Sequence, residues 1–178
     1  MTAASGIHVP LEVLATNDLA KMRVLTVRQP WAWAIISGGK SVENCVRNLV
    51  GNYRGAVAIH TSKRLPSFEE HWAAGSIISD ITGYRPLFHS PDSLGAIIGV
   101  VELVGVHESG LDGCGTRKGV ANPDELIPLC SEWAEPLVYH LVLANPRPLA
   151  HPIPFRGAVG LRRLPAETVA LIGEQVTL

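Results

Sequence analysis

The segment Arg28–Arg54 reads R-Q-P-W-A-W-A-I-I-S-G-G-K-S-V-E-N-C-V-R-N-L-V-G-N-Y-R. Pro30 fits the first turn of a helix, because proline lacks a backbone N–H and has a helical φ. Gly38-Gly39 ends that helix, since glycine adopts the left-handed geometry of a C-cap without penalty. Lys40 and Glu43 follow directly. In a straight strand their side chains would point to opposite faces, so only a bend after the glycines lets both line one cleft.

The composition is that of one globular domain. Of the 178 residues 47% are hydrophobic and 17% are charged, which excludes a disordered chain and suffices for a real core. The longest apolar run, 96–106, is interrupted by Gly99, Glu102 and Gly105, so we expect no membrane contact. The chain starts without the charged and apolar regions of a secretory signal. The three cysteines are an odd number, and their spacings match no familiar disulfide framework. We therefore expect reduced thiols and a cytoplasmic location.

The net charge of −1 is unevenly distributed. Residues 1–64 contain eight basic and three acidic residues, 65–135 contain three and eleven, and 136–178 contain four and two. The balance argues against a protein that coats DNA nonspecifically, whose pI would exceed about 9. A basic patch remains possible if the two ends of the chain meet in space.

Hydrophobic periodicity predicts short strands and helices without repeating βα units. The predicted strands are 23–28, 41–47, 56–60, 94–106, 137–143 and 157–161, with a turn at 145–148 and extended chain at 149–154. The predicted helices are 30–37, 68–78 capped by Ser67, and 165 to about 172. This pattern favours an α+β fold, a small twisted β-barrel of five or six strands with two or three flanking helices. We expect an N-terminal extension (1–22), the domain itself (23–164) and a C-terminal helix (165–178).

Six short motifs occur in an order that resembles the ASCH family (activating signal cointegrator homology domains) of the PUA-like superfamily. They are R-Q-P-W-A at 28–32, G-K-S-V-E-N at 39–44, Y-R-G at 53–55 with I-H-T-S at 59–62, G-A-I-I-G-V at 95–100, Y-H-L-V-L at 139–143 and P-F-R-G-A-V-G-L at 154–161. The resemblance implies a PUA-like pseudo-barrel with a cleft lined by the turn that carries Lys40 and Glu43. It also implies recognition of RNA or a modified nucleotide.

The resemblance also bears on catalysis. Some small relatives are amidohydrolases that deacetylate N4-acetylcytidine with a lysine, a threonine three residues later and a distant glutamate. Lys40 matches that lysine, but Glu43 stands in the threonine position. Cys45 stands where longer ASCH proteins have arginine.

The remaining candidates are aromatic, basic and polar. Trp31 and Trp33 lie about 200° apart around a helix, so we expect one to pack inside and the other to stack on a base or to make a structural contact. Arginines beside turns can contact phosphate or bind backbone carbonyls equally well. Polar residues at strand ends can reach the cleft or have a structural role. The candidate ligand-binding residues are Arg28, Trp31, Trp33, Lys40, Glu43, Arg54, His60, Ser62, Asn145 and Arg156.

A metal site is not expected. His107, Cys114 and Cys130 are possible ligands, but there is no C-x-x-C pair and their spacing matches no known zinc motif. We therefore predict no metal and no cofactor.

These observations favour an ASCH module that binds RNA or a nucleotide in a cleft around Lys40 and Glu43. The alternative is a hydrolase, either an amidohydrolase on an N4-acylated cytidine-type nucleoside or a ribonuclease, in which Lys40 and Glu43 are catalytic. A third hypothesis is a protein-interaction domain that uses the acidic segment 107–135.

Overall fold

The computed structural model describes residues 21–86, 93–111, 113–114 and 128–176. They form six strands: β1 Arg23–Val27, β2 Val42–Cys45, β3 Gly55–Thr61, β4 Ala96–Glu108, β5 Tyr139–Pro154 and β6 Arg162–Arg163. Three helices accompany the strands: α1 Trp31–Ser37, α2 Phe68–Thr82 and α3 Ala166–Gly173. No described helix combines the length and the apolar character that are needed to cross a bilayer.

All six strands belong to one mixed sheet with the order β2-β5-β4-β3-β1-β6. β1 runs parallel to β3, while the other neighbouring pairs are antiparallel. The register of β4 against β5 shifts between Ile97 and Gly99 and again between Leu103 and Gly105. Such shifts bend a strand and increase its twist.

The two faces of the sheet are covered by different helices. Period-2 alternation sends one set of side chains from β1 and β3 toward α1, and this cluster includes Leu25, Val27, Val57, Ile59 and Ile35. The alternate set packs with α3, in a cluster that includes Val24, Ala56, Ala58 and Ile172. The six strands and three helices confirm the predicted α+β class. Among the described strands β2 and β6 remain edges, so the sheet curls into a half-barrel instead of closing.

Helix α2 shows how directly the sequence sets a boundary. The Ser67 hydroxyl accepts from the backbone N–H of Glu70, and the Glu70 carboxylate accepts in return from the N–H of Ser67. This capping box starts the helix where it was predicted. Gly83, with φ of 72°, ends it one turn later than expected.

Two predictions about the C-terminal half were wrong. The turn expected at 145–148 lies inside β5, which continues from Tyr139 to Pro154. Only 139–142 pair with β2, so beyond them β5 is an edge strand. Proline is tolerated there, because an edge strand needs only one row of backbone hydrogen bonds. The strand expected at 157–161 is absent from these described residues, and Arg162–Arg163 pairs with β1 instead.

Several expectations fall outside the described residues. They concern residues 1–20 of the N-terminal extension, and residues 112 and 115–127 of the acidic segment. The proposed boundaries of the domain and its extensions stay predictions.

Candidate functional site

The double glycine reverses the chain as the sequence required. The N–H groups of Gly38 and Lys40 both donate to the carbonyl of Ala34, at 3.0 and 2.9 Å. Gly39 has φ of 75°, a left-handed geometry that glycine adopts without strain. The reversal turns Lys40 inward at the end of α1 and leads into β2, which carries Glu43.

Lys40 and Glu43 form a largely buried ion pair. The Lys40 Nζ atom lies 3.1 Å from Glu43 Oε2, and their side chains are 3% and 19% exposed. The ammonium also donates to the carbonyl of Val42 and lies 5.7 Å from the ring centroid of Trp31, within cation–π range. Both charged groups line one cavity of about 190 Å³, so the predicted convergence on a single hollow is present.

The opposite wall of this cavity comes from the segment 131–135. The Asn44 amide donates to the carbonyl of Trp133 at 2.9 Å and accepts from the backbone N–H of Glu135 at 3.3 Å. The hydroxyls of Ser41 and Ser131 lie 2.9 Å apart. Glu132 and Glu135 also line the cavity, so its carboxylates outnumber its one ammonium. We call this cavity the base pocket.

Cys45 lies at the end of β2, beside the pair. Burial, reinforced by the nearby Glu43 carboxylate and opposed by Lys40, raises the pKa of the Cys45 thiol to about 12. The thiol therefore stays protonated at neutral pH and is a poor nucleophile.

A second, larger cavity of about 900 Å³ collects other predicted residues. Arg28, His60, Ser62 and Arg156 all line it, together with Lys63. No carboxylate of the described residues lines it. We call it the basic cavity. The candidate residues are thus divided between two cavities, whereas the sequence had placed them around one.

His60 has a structural role within the basic cavity. Its Nδ1 lies 3.2 Å from the Thr26 hydroxyl and its Nε2 lies 3.0 Å from the carbonyl oxygen of Phe155. Burial lowers the pKa of His60 below its usual value, against the opposing effect of the hydrogen bond to Phe155. The ring is therefore neutral near pH 7 and ties the 155–158 segment to the sheet.

A groove of about 200 Å³ shares lining residues with both cavities. Trp31 and Ile77 line both the base pocket and this groove, and Arg28 lines both the groove and the basic cavity. Arg28 also pairs with Glu70, at 3.3 Å between Nη1 and Oε1. The Trp31 indole and the Arg28 guanidinium therefore each border two neighbouring cavities.

Arg54 and Asn145 lie outside these three cavities, as far as the described residues define them. The Arg54 guanidinium donates to the carbonyls of Gly51 and Tyr53 within its own turn. The Asn145 amide donates to the Glu102 carboxylate at 3.1 Å, beside the ion pair of Arg147 with the same carboxylate. For both residues the geometry favours the structural role that the sequence had left open.

The two tryptophans are both half-buried. Trp31 lines the base pocket next to Lys40, whereas the Trp33 ring packs on Tyr84 with centroids 5.4 Å apart. Trp31 is therefore the indole available to a ligand, and Trp33 makes the structural contact.

The residues of the base pocket wall that sequence reasoning missed include Asn44, Glu132, Trp133 and Glu135. Asn44 stands next to Glu43 in a motif that was recognised, so its position was a usable signal. The other three lie in a segment without periodicity, which only the fold brings to the pocket. Phe155, whose backbone carbonyl accepts from His60, was also missed, although it stands next to Arg156 in a recognised motif.

The metal-ligand candidates that were discounted on spacing come together in the fold. His107, Cys114 and Cys130 converge on His140, which the sequence did not single out. The predicted absence of a metal stays an untested prediction.

Comparison with known proteins gives a likeness in structure only. No family model matches the sequence, and no curated protein matches it. The chain is similar to the crystal structure of ASCH from Zymomonas mobilis, with a TM-score of 0.49 and 16% identity over 89% of this chain and 98% of that one. Two mutant proteins of that ASCH give TM-scores of 0.47 and 17% identity over 88% of this chain and 99% and 98% of theirs. At these values the likeness concerns the fold and carries no argument about function.

Proposed function

We propose that this ASCH-like module binds single-stranded RNA or a modified nucleotide, with a base in the base pocket and phosphates over the basic cavity. The observation that supports this proposal is a row of three neighbouring cavities with shared walls. Trp31 borders both the pocket of the Lys40–Glu43 pair and the groove, and Arg28 borders both the groove and the basic cavity. Sequence-specific RNA recognition depends on unstacked bases held by hydrogen bonds and aromatic stacking.

The chemistry of the base pocket suits a nucleobase better than a phosphate. Its volume of about 190 Å³ is below the roughly 300–1,000 Å³ of sites for whole drug-sized ligands, so one planar group fits. Lys40 is already neutralised by Glu43, and Glu132 and Glu135 add negative charge that repels phosphate. Carboxylates accept hydrogen bonds, so an exocyclic amino group of a base is the matching ligand group.

The basic cavity has the complementary chemistry. Arg28, Lys63 and Arg156 are exposed and line a volume large enough for a sugar and its phosphates. Arginine and lysine are the usual phosphate contacts, which position the chain without reading its sequence. The proposal therefore assigns the phosphate role to these residues and leaves Lys40 with its carboxylate.

Salt-dependent binding of short RNAs tests the proposal. We would measure fluorescence anisotropy of labelled single-stranded oligonucleotides across a salt series. Each phosphate contact contributes roughly 0.7 to the slope of log K against log salt for single strands, so Arg156→Ala should lower the slope by about that amount. Arg47→Ala removes an equal charge from an exposed position that lines none of the three cavities, and should leave the slope unchanged.

Base preference tests the pocket separately. Glu43→Gln keeps the side chain's shape but replaces an acceptor oxygen with a donor, so it should change the order of affinities among the four homopolymers. The Arg156 variant should weaken all four alike. Equal weakening by Arg47→Ala and Arg156→Ala, or no binding at low salt, would contradict the proposal.

Hydrolysis is the second candidate function. It is favoured by the partly exposed Glu43 carboxylate, which is fixed by an ammonium and able to orient a water molecule. If the protein is a hydrolase, it should release acetate from an N4-acetylated cytidine or cleave RNA. The variant Glu43→Ala should abolish this reaction and still bind the ligand. Mass spectrometry of the same incubations distinguishes this outcome from binding alone.

A further inference from the structure

Two histidines and two cysteines converge on one point, where β4 ends and β5 begins. His107 on β4 and His140 on β5 are register partners, and their rings lie 5.2 Å apart at 88°. The Sγ atoms of Cys114 and Cys130 lie 3.1 and 3.3 Å from His140 Nδ1. The four ligand atoms all lie within 4.8 Å of one another.

Hydrogen bonds alone do not account for this cluster. His140 is fully buried, and its Nε2 lies 2.7 Å from the carbonyl oxygen of Glu135. With Nε2–H donating to that carbonyl, Nδ1 carries a single lone pair that faces the other three groups. Two sulfur atoms and the Nε2 of His107, which is 3.3 Å away, therefore compete for one acceptor.

The distances fit a tetrahedral cation. Bond lengths of about 2.3 Å for Zn–S and 2.0–2.1 Å for Zn–N place the ligands of a tetrahedral site about 3.4 Å apart for N···N and about 3.6 Å for S···N. The cluster shows 3.3 Å between the two histidine nitrogens and 3.1 and 3.3 Å between sulfur and nitrogen. Small outward movements would suffice to admit the ion.

The surroundings also suit a metal. A metal-binding histidine usually donates its other N–H to a carbonyl or carboxylate, which fixes the tautomer, and the contact of His140 with Glu135 has this form. Cys130 is exposed, which gives a cation an entry path. Two thiolates and two imidazoles in a closed tetrahedron are a ligand set typical of structural zinc.

We propose that His107, Cys114, Cys130 and His140 bind one zinc ion, and that this centre fixes the segment 131–135. The same Glu135 that accepts from His140 donates its own N–H to Asn44 in the wall of the base pocket. The zinc site rests on these contacts and not on the proposed RNA function. Its tests therefore need no nucleic acid and can fail independently of that function.

Metal content is the first test. The full chain, purified under reducing conditions and dialysed against trace zinc, should retain about one zinc per chain by elemental mass spectrometry. Cys114→Ser and Cys130→Ser should each lose most of it. Cys45→Ser is the matched control, a free cysteine of the same chain that lies outside the cluster, and should retain its zinc.

Cobalt substitution of the unmutated chain keeps the proposal testable if a serine variant fails to fold. Metal-stripped, reduced protein titrated with Co²⁺ should develop the strong visible absorption of a tetrahedral thiolate site, with an endpoint at one equivalent. Zinc should then displace the cobalt and abolish the absorption. The same titration on Cys45→Ser should give the same spectrum.

Three outcomes would overturn the proposal. The first is a folded, reduced chain that retains no stoichiometric zinc and gives no tetrahedral cobalt spectrum. The second is a folded Cys130→Ser variant that binds zinc like the unmutated chain. The third is a Cys114–Cys130 disulfide, found by peptide mass spectrometry in protein purified without added oxidant, which would identify the pair as a redox couple.

Discussion

Replacing Lys40 with methionine tests whether a buried ion pair holds the base pocket together. Methionine keeps most of the apolar stem that lies against Trp31 and is flexible enough to fill the space, so the main loss is the charge. Removing one partner of a buried pair costs about 3–5 kcal/mol, because the other charge stays buried without compensation. Glu43 is 19% exposed and keeps some access to water, so we expect the lower end, about 3 kcal/mol.

Urea unfolding followed by tryptophan fluorescence measures this loss. The expected result is a lower midpoint with an unchanged m-value, since the surface exposed on unfolding stays the same. A double variant, Lys40→Met with Glu43→Leu, should regain much of the lost stability, because an apolar pair of similar volume needs no counter-charge. Arg64→Met breaks the exposed pair with Glu70 and should leave the midpoint where it was.

Two results would refute the reasoning. A loss below about 1 kcal/mol for Lys40→Met would place the pair among surface ion pairs, despite its burial. A double variant no more stable than the single one would show that the uncompensated Glu43 charge is not the source of the loss. Either result would show that the ion pair is not what holds the pocket in shape.

Three further predictions concern other parts of the fold. His60 takes up a proton near pH 6.5 in the unfolded chain, whereas burial lowers its pKa in the folded chain. His60 therefore contributes stability that is complete above pH 6.5 and is lost as the pH falls. The variant His60→Gln should flatten the pH dependence of the urea midpoint between pH 7.5 and 5.5. Gly99→Ala places a Cβ 2.8 Å from the Arg147 carbonyl oxygen and should cost about 1–3 kcal/mol in urea unfolding, whereas Gly173→Ala, with no atom within 4 Å of its new Cβ, should be neutral. Chelating the proposed zinc should speed hydrogen exchange at the amides of 131–138 and leave β3 protected, as followed by mass spectrometry.

The parts of the fold that depend on local chemistry were predictable from the sequence. The capping box at Ser67, the left-handed Gly39 and the strand 23–27 each follow from one or a few residues acting on their own backbone. The path of β5 through 145–148 was not predictable, because the sequence Asn-Pro-Arg-Pro normally indicates a turn. Their place in a strand depends on β2 beginning only at Val42, which leaves the rest of β5 at the edge, and this is a property of the sheet and not of the segment.

The candidate site was likewise only partly predictable from the sequence. Lys40 and Glu43 are close in sequence, so one bend decides whether they meet, and that bend could be inferred from two glycines. Which of Arg28, Arg54 and Arg156 share a cavity could not be inferred, because they are far apart in the sequence. Only the order of the strands in the sheet brings Arg28 and Arg156 together and leaves Arg54 elsewhere. His140 illustrates the limit best. It lies inside the predicted strand 137–143 and His107 follows the predicted strand 94–106, but only the register of β4 against β5 places the two rings together.

The segment 131–135 connects the two sites physically. On one side Asn44 holds it through the carbonyl of Trp133 and the N–H of Glu135, and on the other side His140 holds it through the carbonyl of Glu135. If zinc fixes His140, it also fixes the wall against which a base would rest. Such coupling is reciprocal by thermodynamic necessity, so a ligand that binds the ordered wall must tighten the zinc by the same factor by which zinc tightens the ligand. The base pocket and the metal centre are then two ends of one structural unit, built from residues that the sequence keeps far apart.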